Sequence, residues 1–424
     1  MPPQGFLSPE ALERRERYGI AVDESDYPIS PAYLEAIGSC GARIVTVGKW
    51  FATVVVESPD SAVASRIGQL PIVKEVRWIW KGEREPVLIR TSDSASILRP
   101  TCLPNESSPY GYADRQIAML NGKALHEKGF RGQGMRIGVV DAGFRDVDRM
   151  SAFASTRIAG AFNLVTPAES VFADDDHGVK VLSCMAADIP QVMVGTAPEA
   201  TYWLFKTEDN FSEFPIEEDY WVAAVETADS LGLDIVSSSL GYHAFDAEEL
   251  NYSYSMLNGR STLISLAAEK AASKGMLLFV SAGNEANEDW GTIACPADAH
   301  DVLTVGSITE NKERSTFSAW GTTADRRIKP DVVALGSNCA VINIEGDLAF
   351  SSGTSFSTPI VAGLGACLWQ AAPHLTNREI IALIIRSSSL YEKTDTMLGH
   401  GVPNFKKALK HSTYAKRTRS FHAH

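Results

Sequence analysis

The sequence predicts an α/β protein: a doubly wound, mostly parallel sheet with helices on both faces, preceded by a small α+β unit. Three observations carry this. Between residues 135 and 305, short unbroken apolar runs alternate with helix-length segments, several of which end at glycine. That is the pattern of strands buried on both faces and joined by crossover helices. Ahead of them, residues 42–57 (ARIVTVGKWFATVVVE) hold two β-branched runs around a Gly-Lys turn. Between the two regions, residues 95–111 are rich in Ser, Pro and Asn, the composition of a linker. The chain divides accordingly into residues 1–105, residues 106–410, and a basic, small-residue tail over 411–424 expected to be mobile.

The elements follow in order. After the paired strands of residues 42–57, a short helix over 62–70 starts at Ser61, and residues 72–80 (IVKEVRWIW) alternate as a third strand. Beyond the linker, a helix over 116–128 stops at Gly129, and residues 135–140 (MRIGVV) are an apolar strand. A helix opens at His177. Residues 200–205 are a strand, residues 220–231 a helix ended by Gly232, and residues 234–238 a strand. A helix over 263–273 ends near Gly275, and residues 276–280 and 302–305 are further strands.

Composition narrows the function. With 424 residues, 45% hydrophobic and 21% charged, the chain can bury a large core in two domains. A net charge of -13 argues against a nucleic-acid partner, which needs a basic surface. No apolar run approaches the roughly 18 residues of a membrane span. Residues 1–5 lack the basic start and apolar core of a signal peptide, so either the protein is cytoplasmic or a signal has been removed. The acid is dispersed apart from short runs at residues 174–176 and 217–219, the second expected to be a solvated face. Of the six cysteines, Cys184 and Cys367 read as free buried thiols, while Cys295 with Cys339, and Cys40 with Cys102, are open to bridging. None has the spacing of a zinc site.

In a parallel sheet, chemistry gathers at strand and helix ends. Asp141 closes an apolar strand and is followed by Ala142-Gly143. His177-Gly178 opens an apolar helix after an acidic loop. Asn284 follows a strand in Ser281-Ala282-Gly283-Asn284. Ser355 sits in Gly353-Thr354-Ser355-Phe356-Ser357-Thr358-Pro359, at the start of a buried helix whose N-terminus favours negative charge. Taken singly, each reads as a turn aspartate, a cap histidine, a turn asparagine and a serine N-cap. Together they are an acid, a base, a nucleophile and an amide donor.

These segments, in the order Asp, His, Ser, resemble the subtilisin-like serine proteases. The Ser355 run is the most specific match. His177-Gly178-x-x-Val181, Ala282-Gly283-Asn284 and residues 329–334 (KPDVVA) add to it, and the likeness covers about residues 113–409. Two positions depart from the family: Ala142 and Val179 stand where Ser or Thr is usual. The resemblance implies a subtilisin-like fold in which Asp141, His177 and Ser355 form a catalytic triad and Asn284 helps bind the oxyanion. It also implies that an extended peptide lies along Ser238, Ser239, Leu240 and Gly241, with Ala282 and Gly283 opposite. The N-terminal unit resembles a propeptide that inhibits the enzyme until processing between residues 95 and 110.

The same resemblance implies protein or peptide substrates, secretion to the cell surface or beyond, and no cofactor for the chemistry. It admits structural calcium, with Asp174, Asp175 and Asp176 as candidate ligands. The alternative is a latent or inactive relative that binds peptides. An α/β hydrolase of the nucleophile-elbow type would need a G-x-S-x-G motif with serine first in the chain, and Ser355 comes last.

Overall fold

The computed structural model describes residues 2–80 and 108–412. Cys102, most of the linker and residues 413–424 of the expected tail lie outside the described residues.

The N-terminal unit begins with two helices that the sequence reading did not identify, α1 (Pro9–Tyr18) and α2 (Pro31–Gly38). In α1, Ser8 Oγ accepts the Ala11 N–H, Pro9 occupies the first turn, and Gly19 closes the helix at φ 66°. The helix carries no apolar stripe. Its buried positions are Ala11, Arg14 and Arg15, so hydrophobic periodicity could not reveal it. Strands β1 (Arg43–Gly48) and β2 (Thr53–Glu57) form an antiparallel hairpin, followed by α3 (Ala62–Gly68). Ile37, Val63 and Ile67 make its small core. Residues 72–80 are not the expected third strand. They pair with no described strand, and Ile72, Val76 and Trp78 are exposed. Alternation alone does not make a strand where no ladder receives it.

The expected helix over 116–128 is two short ones, α4 (Asp114–Met119) and α5 (Lys123–His126). They are separated by Asn121 in the left-handed region at φ 53°. Then follow β3 (Arg136–Asp141), β4 (Arg157–Asn163), α6 (His177–Ala186), β5 (Thr201–Lys206), α7 (Ile216–Leu231), β6 (Ile235–Ser238), α8 (Leu263–Ser273), β7 (Leu277–Ser281), β8 (Leu303–Ile308) and β9 (Val332–Leu335). The last long helices are α9 (Thr354–Ala371) and α10 (Asn377–Ser387). Seven strands form one parallel sheet in the order β9-β8-β7-β6-β3-β5-β4.

Alternate side chains of this sheet feed two cores. Ile137, Val139, Leu277 and Phe279 pack with Val181, Ile360 and Leu364 of α6 and α9. Val140, Leu278 and Val280 pack with Trp221, Val225 and Ala268 of α7 and α8. Both faces are covered, which is why the strands read as continuous apolar runs. The chain order reverses at β3, so the carboxyl end of β3 opens onto the crevice where such sheets place their sites.

The N-terminal unit is docked on α7 and α8 through buried charge. Arg14 reaches Asp229 at 2.5 Å, Arg15 bridges Asp26 at 2.9 Å and Asp229 at 2.8 Å, and Lys274 meets Asp26 at 2.9 Å. All five residues are at most 4% exposed. Glu226 on α7 accepts the backbone N–H groups of Lys49 and Trp50, at 2.9 and 2.8 Å. Gly232 must be glycine twice over: it sits at φ 79°, and a side chain there would strike the backbone of α1 at Ala11. Asp229→Ala leaves Arg14 and Arg15 without their shared carboxylate. It is expected to cost about 3–5 kcal/mol, as for other buried pairs that lose one partner, read as a lower urea midpoint. A loss below about 1 kcal/mol would mean that the network behaves as a solvated surface pair.

Two further expectations are corrected. Cys295 and Cys339 are not bridged: both are buried free thiols, as are Cys184 and Cys367, and Cys40 is also free. The run Glu217-Glu218-Asp219 is no solvated face, since all three residues are buried at 1, 2 and 9% exposure. They lie in the first turn of α7, where the helix N-terminus favours carboxylates. Glu217 also accepts the N–H groups of Asp209 and Phe214, and Glu218 accepts the Tyr252 hydroxyl at 2.7 Å. Burial pushes the carboxyl of Glu218 up to about 8 and that of Asp219 up to about 7.

Candidate active site

The carboxyl end of β3 delivers Asp141, fully buried. Its Oδ1 accepts the Ala142 N–H at 2.9 Å and faces His177 Nδ1 at 2.6 Å. Burial pushes this carboxyl up, and the neighbouring imidazole opposes the shift. His177 is the first residue of α6, and its N–H donates to Asp175 Oδ1 at 2.8 Å. The helix can come this close to the β3 turn because residue 178 is glycine: a side chain there would run into the Gly143 carbonyl and the Phe144 ring. Across the cleft, the His177 ring lies 6.1 Å from the ring of Phe356, the residue after Ser355.

Ser355 is the second residue of α9, 4% exposed, with its carbonyl accepting the Ser239 hydroxyl at 2.9 Å. Asn284, three residues beyond β7, has its amide oxygen occupied twice. It accepts the Thr354 N–H at 2.9 Å and the Thr354 hydroxyl at 3.0 Å. That assignment leaves the Asn284 Nδ2 donors to a partner other than Thr354.

One cleft of about 580 Å³ is lined by His177, Ser355, Asn284, Gly283 and the run Ser239, Leu240, Gly241. Two residues expected on its walls are elsewhere. Ser238 is fully buried under the sheet, its hydroxyl accepting the Trp221 indole N–H at 2.9 Å. Ala282 is fully buried in the core packed on α7 and α8. Both follow from strand alternation, which turns every second side chain into the core.

The acidic loop does not assemble a calcium ligand set. Asp174 pairs with Lys206 at 3.2 Å and accepts the Asn210 amide, Asp175 caps the N–H of His177, and Asp176 pairs with Lys180 at 3.0 Å. Calcium takes six to eight converging oxygens, and these carboxylates are committed to separate partners.

Sequence reasoning passed over Thr354 and Glu208, and gave Asp175 only as a candidate calcium ligand. Thr354 fixes the Asn284 amide and was hidden beside the nucleophile in its own motif. Asp175 anchors the His177 backbone. Glu208 lines the cleft and accepts hydrogen bonds from Thr207 and Tyr242. No local pattern marks it, because its neighbours in the cleft come from distant segments.

A family model described as the subtilase family matches residues 132–401. The chain belongs to the subtilase family. Residues 1–92 of this subtilase match a second model, the Peptidase S8 propeptide domain of Bacteroidota. Among curated relatives, subtilisin E of Bacillus subtilis (strain 168) is 26% identical over 306 residues, covering 72% of this chain and 71% of its own. A thermostable alkaline protease of Halalkalibacterium halodurans is 25% identical over 355 residues, covering 82% of this chain and 86% of its own. A crystal structure of MycP1 with its N-terminal propeptide removed matches with a TM-score of 0.55 at 23% identity. It covers 70% of this chain and 96% of that one, and shares the fold. This subtilase is a serine peptidase with an N-terminal propeptide domain, and subtilase chemistry needs no cofactor. No helix among its described residues is long and apolar enough to cross a membrane.

Proposed function

We propose that this subtilase is an endopeptidase that cleaves itself out of its zymogen, with Asp141, His177 and Ser355 as the triad. The observation that carries the reading is the 2.6 Å contact of His177 Nδ1 with buried Asp141, at a cleft that Ser355 also lines. Asp141 holds the imidazole with its proton on Nδ1, which leaves Nε2 to take the Ser355 proton as Oγ attacks the scissile carbonyl. The protonated ring then returns that proton to the leaving amine, and water releases the acyl group by the same steps reversed. Oxyanion charge is met by the Asn284 Nδ2 and the N–H of Ser355 at the α9 N-terminus. Peptide would lie extended beside Ser239, Leu240 and Gly241. The N-terminal unit acts as an intramolecular inhibitor, the linker is the processing region, and the mature protease works outside the cytoplasm.

A fluorophosphonate probe tests the reading. Modification is expected at Ser355 alone, once the chain has shortened by about the N-terminal unit. No modification at any stage, including after limited digestion of the linker, favours the latent peptide-binding relative. The presence of every reacting group speaks against that alternative. Asn284→Ala is expected to lower kcat by about 10²–10³ with little change in KM, the range established for subtilisin itself. An unchanged kcat would remove Asn284 from the oxyanion site.

A further inference from the structure

The catalytic cleft does not end at the triad. Beyond Ser239, Leu240 and Gly241 the same cavity continues between the start of α7 and the loop before it. Eight carboxylates line the whole cleft, and among the described residues no lysine or arginine does. Three of them, Glu208, Glu213 and Glu217, place carboxylate oxygens within 4.8 Å of one another. Burial pushes the acids of Glu208 and Glu217 up; repulsion from Asp141 adds to the first shift, and repulsion from Glu208 and Glu213 to the second. A wall of this kind is relieved by a positive charge.

We propose that this end of the cleft is a subsite for a lysine or arginine side chain of the substrate, upstream of the scissile bond. The inference rests on the endopeptidase reading above. It deepens that reading by naming a substrate class, peptides with a basic residue in the acyl portion.

Two further features favour a peptide side chain as the occupant. The acids share one cavity with His177 and Ser355, so a peptide held at the triad and extended along Ser239, Leu240 and Gly241 passes them. The described part of the N-terminal unit ends beside these acids. Trp80, the last described residue before position 108, meets Phe214 edge-on with ring centroids 6.1 Å apart, and Phe214 stands between Glu213 and Glu217 in sequence.

The cluster suits an ammonium or guanidinium better than calcium. Glu217 spends one oxygen on the Asp209 N–H and the other on the Phe214 N–H. Glu208 Oε1 accepts from both Thr207 and Tyr242. Calcium would need six to eight oxygens from this partly committed set, whereas an ammonium needs three acceptors.

The test compares paired peptides that differ only in lysine against norleucine, at each of the second to fifth residues upstream of the cleaved bond. The full chain is used after processing, with fluorophosphonate labelling run on every preparation. The wild type is expected to prefer lysine by about tenfold or more in kcat/KM at one position. In Glu213→Gln that ratio is expected to fall toward one. Glu208→Gln serves as a second variant should the first fail to process. A wild type that labels but prefers norleucine, or neither peptide, at every position overturns the subsite and leaves the protease reading intact. So does a ratio that survives both substitutions, or a calcium requirement lost in the same two variants. A wild type that does not label removes both readings.

Discussion

Ser355→Ala is expected to abolish fluorophosphonate labelling, to leave the chain at full length, and to lower kcat by about 10⁶, the loss seen when the serine of subtilisin's own triad is removed. The expected size follows from the chemistry. Two hydroxyls line the cleft at the N-terminus of α9, and that of Thr354 is spent on the Asn284 amide oxygen, which leaves Ser355. Folding should be spared, because the Ser355 backbone rather than its side chain accepts from Ser239. The check is labelling, gel mobility and peptide turnover of the two proteins side by side. Persistent labelling of the variant would place the nucleophile elsewhere. A variant that shortens by itself at the wild-type rate would assign processing to a contaminating protease.

Asp141→Asn is expected to lower kcat by about 10⁴ while the fold survives. Asn is nearly isosteric, and its amide oxygen can still accept the Ala142 N–H. The amide carries no charge to stabilise a protonated ring. Where its nitrogen faces Nδ1 as a donor, Nδ1 must give up its proton and Nε2 must carry it. A ring protonated on Nε2 cannot take the Ser355 proton. The full burial of Asp141 makes the effect large, since water cannot substitute for the lost carboxylate. The measurement is kcat on a peptide substrate together with the rate of fluorophosphonate labelling. Both should fall together, with the urea midpoint held within the effect of an ordinary substitution. A loss below about tenfold would mean that Asp141 is only a strand-end carboxylate.

Much of this was legible one segment at a time. The strands of the parallel sheet could be read because burial on both faces leaves them continuously apolar. The ends of α7 and α8 showed in the glycines that follow them. Asp141, His177, Asn284 and Ser355 stood out because each sits at or near the end of such an element, within a short run whose order is specific.

The misreadings share one cause. Helix α1 was missed because its buried side chains are arginines, and arginine is apolar-facing only when Asp229 lies beneath it. The run Glu217-Glu218-Asp219 was taken for a solvated face because charge normally means exposure. Here they lie in the first turn of a helix, with loop N–H donors for Glu217 and the Tyr252 hydroxyl for Glu218. Ser238 and Ala282 were drawn onto the cleft wall because their neighbours belong there, while the strand pleat turned them inward.

By itself, then, the sequence determined the class of sheet, the motif runs of the subtilase family and the presence of a separate N-terminal unit. Each of these is written in local runs whose physics is local: apolar period, capping and turn chemistry. Only the tertiary structure decided what is built from charges far apart in the chain. It decided how Arg14 and Arg15 find Asp229, how Thr354 orients Asn284, and how Glu208 comes to stand with Glu217 in one cleft with His177 and Ser355. Electrostatic partnership acts through space, and a one-dimensional pattern carries no record of which charges the fold will bring together.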